Sequence, residues 1–419
     1  VVESLRERSM QLKIAPHLSR LLPFIIPVYR GDARPLWMMK LGVIMYQFLS
    51  GPWSLGRHRG ISLEEIVACA PGISRDGLVG GVEYFDAQMD DARMCLENVL
   101  MADKFGAVAA NRVKAEDFIR ENGKAVGVKV RDMVSGRSLT IRASRIIVAA
   151  GPWSDEIIQK DSPGAPRRLR VTKGAHVLYE GQVSSKAFLI QSRQDRRVFF
   201  MLPFKGHSLI GTTDTDYDGA PDDVRVEEAD IEYLLKEASR VFPRVTFDRT
   251  KIIASFAGLR PLVADVGHPS HISRKHAVDV SRDGVHFVMG GKYTTYRSIC
   301  TDVVKKALPH FVGKLMPWDK FRLYGSDDTG PDAQALAARF GVPEGTAVYL
   351  KGLYGSRAAD VLELTRADAS LKGAICSCSP VIGAQVLYAR DVEMALSPAE
   401  SSDCRSRSLR RAAVKSSIG

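Results

Sequence analysis

Cysteine is scarce and irregularly spaced in this 419-residue sequence, which contains six of them. The closest pair, Cys376 and Cys378, has one residue between its members, whereas zinc knuckles and thioredoxin-like redox sites usually have two. Domains held together by disulfides are short and far richer in cysteine. The sequence therefore indicates reduced thiols, as in a cytoplasmic protein, and predicts no metal site.

Long apolar runs are also lacking. No stretch of about 18 consecutive apolar residues occurs, so we expect no membrane-spanning helix. The sequence neither starts with methionine nor shows a signal peptide, and its first residues already follow a helical pattern, with Leu5, Ser9 and Leu12 on one face. We therefore expect the chain to be truncated at its N-terminus.

Acidic residues are too few to balance the basic ones, since 59 lysines and arginines face 48 aspartates and glutamates, for a net charge of +11. Such an excess suits acidic substrates, nucleic acids or anionic membrane surfaces. Basic residues interleaved with aromatic ones, as in many nucleic-acid binders, are missing, so we expect no nucleic-acid partner. The basic, serine-rich segment 401–419 contributes to the excess and is predicted to be a disordered tail.

Hydrophobic periodicity predicts a mixture of helices and strands. Residues 1–50 are predicted to be mostly helical, and 36–49 is so apolar that it lies either buried under a sheet or on a membrane surface. The region from 331 to about 400 is predicted to be all helical, with a boundary near 323–331. The elements predicted between these regions are a helix at 90–104, strands at 107–110, 126–130, 139–141 and 145–149, antiparallel strands at 176–179, 187–191, 197–203 and 208–212, and a helix at 227–242.

The most informative segment is Gly290-Gly291-Lys292-Tyr293-Thr294-Thr295, which follows an apolar strand pattern and precedes a helical one. The two glycines permit a tight turn, and Thr294 or Thr295 can cap the helix, whose free N–H groups then face whatever lies in front of them. Lys292 adds a positive charge. The segment predicts a site for an anion, or for a group that becomes anionic during a reaction; the alternative is an ordinary strand–turn–helix joint.

Six segments that occur in one order carry a family resemblance. They are Asp90–Arg93, Ile147–Trp153, Lys173–His176, Ile210–Asp214, Gly258–Leu262 and Gly290–Arg297. As an ordered set they closely resemble the FAD-dependent (respiratory, quinone-reducing) glycerol-3-phosphate dehydrogenases, a family of D-amino-acid-oxidase-like flavoproteins. The resemblance extends from the first residue to about residue 400.

The resemblance implies a fold with both α/β and α+β features. A Rossmann-like FAD domain would comprise about 90–160 and 280–310, and a substrate domain with an antiparallel sheet would comprise about 20–85 and 165–280. Together they would form an oxidoreductase body at 1–325, followed by a helical C-terminal domain at 326–400. The family begins with a strand–GxGxxG–helix unit that meets the FAD pyrophosphate; since no GxGxxG occurs here, we expect an incomplete FAD domain whose first βαβ unit is missing.

The resemblance also implies roles for individual residues. Oxidation of glycerol 3-phosphate to dihydroxyacetone phosphate requires a held phosphate, removal of the hydroxyl proton and hydride transfer to FAD. Arg260 would hold the phosphate or the C2 oxygen, Arg274 would be a second phosphate ligand, and His176 would bind the substrate and act as the base. Lys292 would stabilise negative charge at the flavin. The residues expected to contact FAD are Val113, Ala150, Gly151, Pro152, Trp153, Gly290, Gly291, Lys292, Thr294 and Thr295.

The implied electron acceptor is a quinone, which would place the protein in peripheral contact with the inner face of the cell membrane. Three alternatives stay open: a non-catalytic fragment unable to hold FAD, a glycerophosphate oxidase that uses oxygen, and an amino-acid oxidase. The combination of His176, Arg260 and Lys292 argues against the last of these. The sequence does not fix the oligomeric state and leaves a homodimer open.

Overall fold

The computed structural model describes residues 2–264, 276–310, 321–327, 330–376 and 380–397, without the side chain of Pro52. Its α-helices are α1 (Val2–Ile14), α2 (Leu36–Ser50), α3 (Leu63–Cys69), α4 (Asp91–Lys104), α5 (Ser154–Asp161), α6 (Glu228–Val241), α7 (Tyr296–Ala307), α8 (Ala333–Phe340), α9 (Glu344–Tyr354), α10 (Ala358–Ala367) and α11 (Gly383–Asp391). Its strands are β1 (Ser19–Tyr29), β2 (Arg59–Ile61), β3 (Leu78–Met89), β4 (Val113–Glu121), β5 (Lys124–Asp132), β6 (Ser138–Arg142), β7 (Ile146–Val148), β8 (Leu169–Tyr179), β9 (Ala187–Gln191), β10 (Val198–Phe204), β11 (His207–Gly211), β12 (Thr215–Asp216), β13 (Ile252–Val263), β14 (His276–Val280) and β15 (Val285–Gly290).

The chain forms two compact units, each assembled from segments that are distant in sequence. Unit 1 comprises Val1–Arg8, Leu22–Asp86 and Arg112–Gly313, and unit 2 comprises Ser9–Leu21, Ala87–Asn111 and Lys314–Gly419. The ranges of these two units do not coincide with the predicted FAD and substrate parts of the oxidoreductase body, and that division stays a prediction.

Unit 1 is built on a large mixed sheet with the strand order β12-β8-β11-β10-β9-β1-β3-β2, and β13 pairs with β8 as well. The strands β8 to β11 pair antiparallel, as the alternating sequence pattern predicts. The strand β13, which the sequence pattern did not predict, pairs antiparallel to β8, and β1 pairs parallel to β9. One face of this sheet packs against α6 through a core that includes Val177, Phe188 and Leu234. The helix begins in a capping box in which Asp230 accepts a hydrogen bond from the backbone N–H of Glu227.

Two three-stranded sheets complete unit 1. In the sheet β14-β15-β7, β15 pairs antiparallel to β14 and parallel to β7. The sheet β4-β5-β6 contains the predicted hairpin, and it gains β4, which the sequence pattern did not predict. The strand predicted at 107–110 does not form. These residues are a loop after α4, and they pair with no strand in the described part of the chain.

The predicted mostly helical character of residues 1–50 is wrong for the middle of that region, where β1 forms. Pro23 and Pro27 oppose a helix, because each lacks a backbone N–H and its ring collides with the preceding turn. The strand instead sends alternate side chains to opposite faces: Ile25 enters the core with α6, and Phe24 stacks on Tyr84 on the other side.

Helix α2 exposes most of its apolar side chains. Within this helix, which is described throughout, Val43 and Ser50 are buried, while Trp37 is 65% exposed and Phe48 is 85% exposed. The expectation of burial under a sheet is therefore wrong. Among the described residues, no helix combines the length and the apolar character that crossing a membrane requires.

Unit 2 contains the predicted C-terminal helices α8 to α11, which share a core of apolar side chains that includes Leu350, Tyr354 and Leu362. A buried ionic cluster connects these helices with α4. Arg93, which is fully buried, pairs with Glu393 at 2.6 Å and with Glu97 at 3.4 Å, and its guanidinium lies 4.4 Å from the ring centre of Tyr354.

Candidate active site

The antiparallel pair β8 and β13 presents His176 and Arg260 on one face of the large sheet. His176 is opposite Phe256, and Arg260 is opposite Thr172, with the pair Gly174 and Gly258 between them. These residues lie two apart along each strand, so their side chains share a face, and that face is opposite the core with α6. The structure thus brings two of the predicted substrate residues together.

The guanidinium of Arg260 is held by the turn that follows β11. Its Nη2 donates hydrogen bonds to Thr212 Oγ1 at 2.8 Å and to the Thr213 carbonyl oxygen at 3.2 Å, and its Nη1 donates to Asp214 Oδ1 at 3.0 Å. About a third of the side chain stays exposed, at 35%. Residues 212–214 belong to the segment Ile210–Asp214 that carries the resemblance, and the structure shows that they contact Arg260 directly.

Two glycines provide the space in which Arg260 and His176 lie. A Cβ on Gly174 would be 2.3 Å from Arg260 Nη2, and a Cβ on Gly211 would be 2.3 Å from His176 Cδ2. Sequence reasoning did not select either residue, although a glycine inside a strand often marks a close approach by another group. That signal was present in Lys173–His176 and in Ile210–Asp214.

His176 is held in its neutral form. Burial, and next the nearby charge of Arg260, lower the pKa of His176 to about 4. The ring stacks on Phe256 with 4.9 Å between ring centres and 11° between the planes, and its Nδ1 is buried without a hydrogen-bond partner in the described part of the chain. The arrangement provides an unprotonated nitrogen beside a fixed positive charge.

A second group of predicted residues gathers at the carboxyl ends of β7 and β15. These strands are parallel neighbours in which Val148 is opposite Phe287, so the segment Ala149–Gly151 lies beside Val288–Gly290. Each strand is followed by a turn and a helix, α5 and α7 respectively. Crevices at such carboxyl ends are common sites for nucleotides in α/β sheets. The same edge is close to the strand that carries Arg260, because β13 packs against β15 and against the 3-10 turn Gly151–Trp153.

Glycine is required in both turns at this edge. Gly151, Gly290 and Gly291 have φ angles of +56°, +66° and +86°, a region that other residues rarely adopt. A Cβ on Gly151 would meet no atom within 4 Å, whereas one on Gly291 would be 2.5 Å from Ile299 Cδ1. The backbone at Gly151 therefore borders open space, and that at Gly291 packs tightly on α7.

The predicted capping role of Thr294 or Thr295 is wrong in its detail. Thr295 occupies the N-cap position of α7, but its side chain makes no cap hydrogen bond. Its Oγ1 donates instead to the Lys292 carbonyl oxygen at 3.2 Å, because a 3-10 turn at Tyr293–Thr295 precedes the helix. Lys292 is exposed and directly precedes this turn.

The structure gives less information about the other predicted site residues. Trp153 is 39% exposed and donates its indole N–H to Asp222 at 3.2 Å. Val113 opens β4 and pairs with Asp132, in a different sheet from β7 and β15, so its contact with FAD stays a prediction. Arg274 lies outside the described residues. In the described ranges, no cluster of histidine, cysteine and carboxylate side chains could hold a metal ion.

The edge formed by β7 and β15 fits the cofactor that the resemblance implies. It offers open backbone at Gly151, a tight glycine turn at Gly290 and the exposed charge of Lys292, which suit a flat, electron-accepting ring with an attached dinucleotide. Which of these residues contact the ring or the dinucleotide stays a prediction. The GxGxxG motif that would meet the pyrophosphate does not occur in the sequence.

Comparison with protein families gives two matches that together span most of the chain. The family described as FAD dependent oxidoreductase matches residues 1–297. The family described as the C-terminal domain of alpha-glycerophosphate oxidase matches residues 318–415.

Individual relatives agree with these matches. The chain is 33% identical to a glycerol-3-phosphate dehydrogenase of Synechocystis sp., over 94% of this chain and 75% of that protein. It is 30% identical to an alpha-glycerophosphate oxidase of Streptococcus pyogenes, over 96% of this chain and 77% of that protein. Among solved structures, it resembles the glycerol-3-phosphate dehydrogenase from Bacillus halodurans complexed with FAD, with a TM-score of 0.78 and 26% identity over 97% of this chain and 76% of that one. The mixed fold, with its large sheet and helical C-terminal region, matches that structure.

Proposed function

Since the chain belongs to the family of FAD-dependent glycerol-3-phosphate dehydrogenases and oxidases, we propose that it oxidises sn-glycerol 3-phosphate to dihydroxyacetone phosphate. FAD, the cofactor of this family, supplies the hydride-accepting ring when it is bound. The observation that carries the proposal is the neighbouring placement of His176 and Arg260 on one sheet face, beside the edge formed by β7 and β15.

Arg260 binds the negatively charged end of the substrate. Its guanidinium is about a third exposed, so it can present N–H groups to a phosphate while Thr212 and Thr213 keep it in place. Asp214 is the contact that a phosphate would compete with, because it is the anionic partner of Arg260 and its side chain is 52% exposed. The phosphate dianion would therefore replace the carboxylate of Asp214 as the anionic partner of Arg260, because it carries more negative charge.

His176 accepts the proton of the substrate hydroxyl. A base must be unprotonated before the reaction, and the lowered pKa of His176 ensures this at neutral pH. One cause of the lowered pKa is the charge of Arg260, which a bound phosphate would offset. Substrate binding would therefore raise the pKa of His176 toward its ordinary value and make it a stronger base at the moment when it is needed.

Lys292 places a positive charge at the cofactor edge, where negative charge develops as the substrate is oxidised. The glycines before it allow the backbone to approach the cofactor closely. Thr294 and Thr295 follow Lys292 in the same turn and are proposed to contact the flavin as well. Arg274 is kept as the second phosphate ligand on the resemblance alone.

We propose a quinone as the electron acceptor, with peripheral attachment to a membrane. The support is α2, whose large apolar side chains are exposed along much of its length, as in a helix that lies in a membrane interface. Oxygen is the alternative acceptor, since the relatives include an alpha-glycerophosphate oxidase.

The test is anaerobic reduction of the FAD-loaded protein. Addition of sn-glycerol 3-phosphate should bleach the visible flavin band, whereas glycerol at the same concentration should not. Colour that returns with a soluble quinone analogue, and much more slowly with oxygen, supports the dehydrogenase; the reverse order supports an oxidase. A protein that holds FAD and stays yellow with the phosphate ester contradicts the proposal, and one that takes up no FAD supports a non-catalytic fragment.

A further inference from the structure

We propose that Thr213, Asp230 and Lys173 form a buried positioning network that fixes Arg260 for substrate binding. The inference rests on the proposed function and extends it to residues that do not touch the substrate. Its basis is a continuous series of hydrogen bonds from the N-terminus of α6 to the turn that holds the guanidinium.

Thr213 is the centre of this network. It is 5% exposed, and its Oγ1 donates to Asp230 Oδ1 at 3.1 Å while accepting from the backbone N–H of Ala175 at 2.9 Å. Its carbonyl oxygen accepts from Arg260 Nη2 at 3.2 Å and from Thr212 Oγ1 at 2.9 Å. A single residue thus connects β8, α6 and Arg260.

Asp230 and Lys173 hold Thr213 from the side away from the substrate. Lys173 Nζ lies 2.9 Å from Asp230 Oδ2, and these residues are 4% and 5% exposed. Lys173 is three residues before His176 on β8 and therefore projects to the opposite face of the sheet. Neither side chain can contact a substrate bound at His176, so the hydrogen bonds of Thr213 are the route by which they act on Arg260.

Loss of the Thr213 hydroxyl would release the turn from α6. Asp230 Oδ1 would lose its donor and Ala175 N–H its acceptor, and both groups are in a buried region where unpaired polar atoms are unfavourable. The turn could then shift relative to β8, and with it two of the three acceptors that fix Arg260, namely Thr212 Oγ1 and the Thr213 carbonyl. Weaker and less specific binding of the phosphate group follows.

The test compares Thr213→Val, which keeps the shape and removes the hydroxyl, with Thr213→Ser, which restores the hydroxyl. The matched control is Glu227→Gln, because Glu227 also contacts Lys173, at 2.8 Å, but its side chain is 66% exposed and leaves Asp230 paired. Each FAD-loaded protein is assayed for KM and kcat with sn-glycerol 3-phosphate. Calorimetric titration with the same ester and with inorganic phosphate, and a melting curve, complete the set.

We expect Thr213→Val to raise KM and the calorimetric Kd about tenfold while kcat changes less than about threefold, the pattern of lost binding. Thr213→Ser and Glu227→Gln should resemble the wild type. Wild-type KM and Kd in a folded Thr213→Val protein would overturn the inference, as would a Thr213→Ser protein as impaired as Thr213→Val. If Thr213→Val does not fold, Asp230→Asn takes its place in the same comparison.

The outcome is separable from that of the proposed function. A wild-type protein that binds the ester without oxidising it contradicts the function, and the calorimetric comparison of variants still decides the positioning role. A wild-type protein that binds neither the ester nor inorganic phosphate overturns both.

Discussion

Gly174→Ala should disable Arg260 without unfolding the protein. The added methyl carbon would be 2.3 Å from Arg260 Nη2, 2.6 Å from Thr212 Oγ1 and 2.7 Å from Arg260 Cζ. The guanidinium is the end of a flexible side chain, so it can move away, and Gly174 has a φ that alanine tolerates in a strand. Melting temperature should therefore change little.

The loss of activity can be estimated from the displacement. Ordinary contact to a Cβ begins near 3.4 Å, so the guanidinium must move by about 1 Å and give up acceptors at 2.8 and 3.2 Å. A misplacement of about 1 Å in the group that positions a substrate can cost about 100-fold in rate, which corresponds to roughly 3 kcal/mol of transition-state binding. We therefore expect kcat/KM for sn-glycerol 3-phosphate to fall about 100-fold.

Gly258→Ala is the matched control, because Gly258 is opposite Gly174 on β13 and a Cβ there would meet no atom within 4 Å. Its kcat/KM should fall less than about tenfold. Steady-state kinetics of the two FAD-loaded variants, with melting curves and flavin content, provide the comparison. Wild-type kinetics in Gly174→Ala, or equal losses in both variants, would refute the reasoning, since the space under Arg260 would then not matter.

Three further predictions concern the pKa of His176, the guanidinium of Arg260 and the exposed apolar side chains of α2. Because folding lowers the pKa of His176 from 6.5 to about 4, stability should be level above pH 6.5 and fall as the pH drops toward 4, by up to about 3 kcal/mol; chemical denaturation of His176→Gln across that range should show a smaller slope. Arg260→Lys should lower kcat/KM by an amount that corresponds to a loss of more than roughly 2 kcal/mol of transition-state stabilisation, although the charge is retained, because the planar guanidinium fork is lost. Unchanged kinetics would remove Arg260 from the site. Flotation with anionic vesicles should weaken in a folded Trp37→Ser/Phe48→Ser variant if α2 lies in the interface, and equal flotation would exclude this helix.

The sequence predicted well the secondary-structure elements whose pattern lies within one short segment. The helix α6 has a regular apolar stripe and begins in a capping box, and the strand–turn–helix around Gly290 depends on glycines whose φ angles only they adopt readily. Where local signals conflicted, the prediction failed. The apolar segment before Tyr29 is predicted to be helical because of its hydrophobicity, although its two prolines oppose a helix.

The arrangement of the candidate site depends on contacts that sequence patterns do not encode. Arg260 meets Thr212 and Asp214 because β8 has both β11 and β13 as neighbours, a pairing between segments far apart in the chain. The family resemblance identified His176 and Arg260 as a pair, but it did not indicate that Gly174 provides the space for the guanidinium. The exposure of α2 could not be predicted from the sequence either, since an apolar segment has the same composition whether it is buried or not.

The ionic cluster around Arg93 has a consequence for the order in which the chain can fold during synthesis. Arg93 leaves the ribosome 300 residues before Glu393, whose carboxylate lies 2.6 Å from its guanidinium in the folded unit. Leaving one member of a buried ion pair alone costs about 3–5 kcal/mol, a large share of the roughly 5–15 kcal/mol that stabilises a typical domain. We therefore expect helix α4 to stay incompletely packed until α8 to α11 are made, so that the C-terminal helices close a nascent unit and are not an appended module.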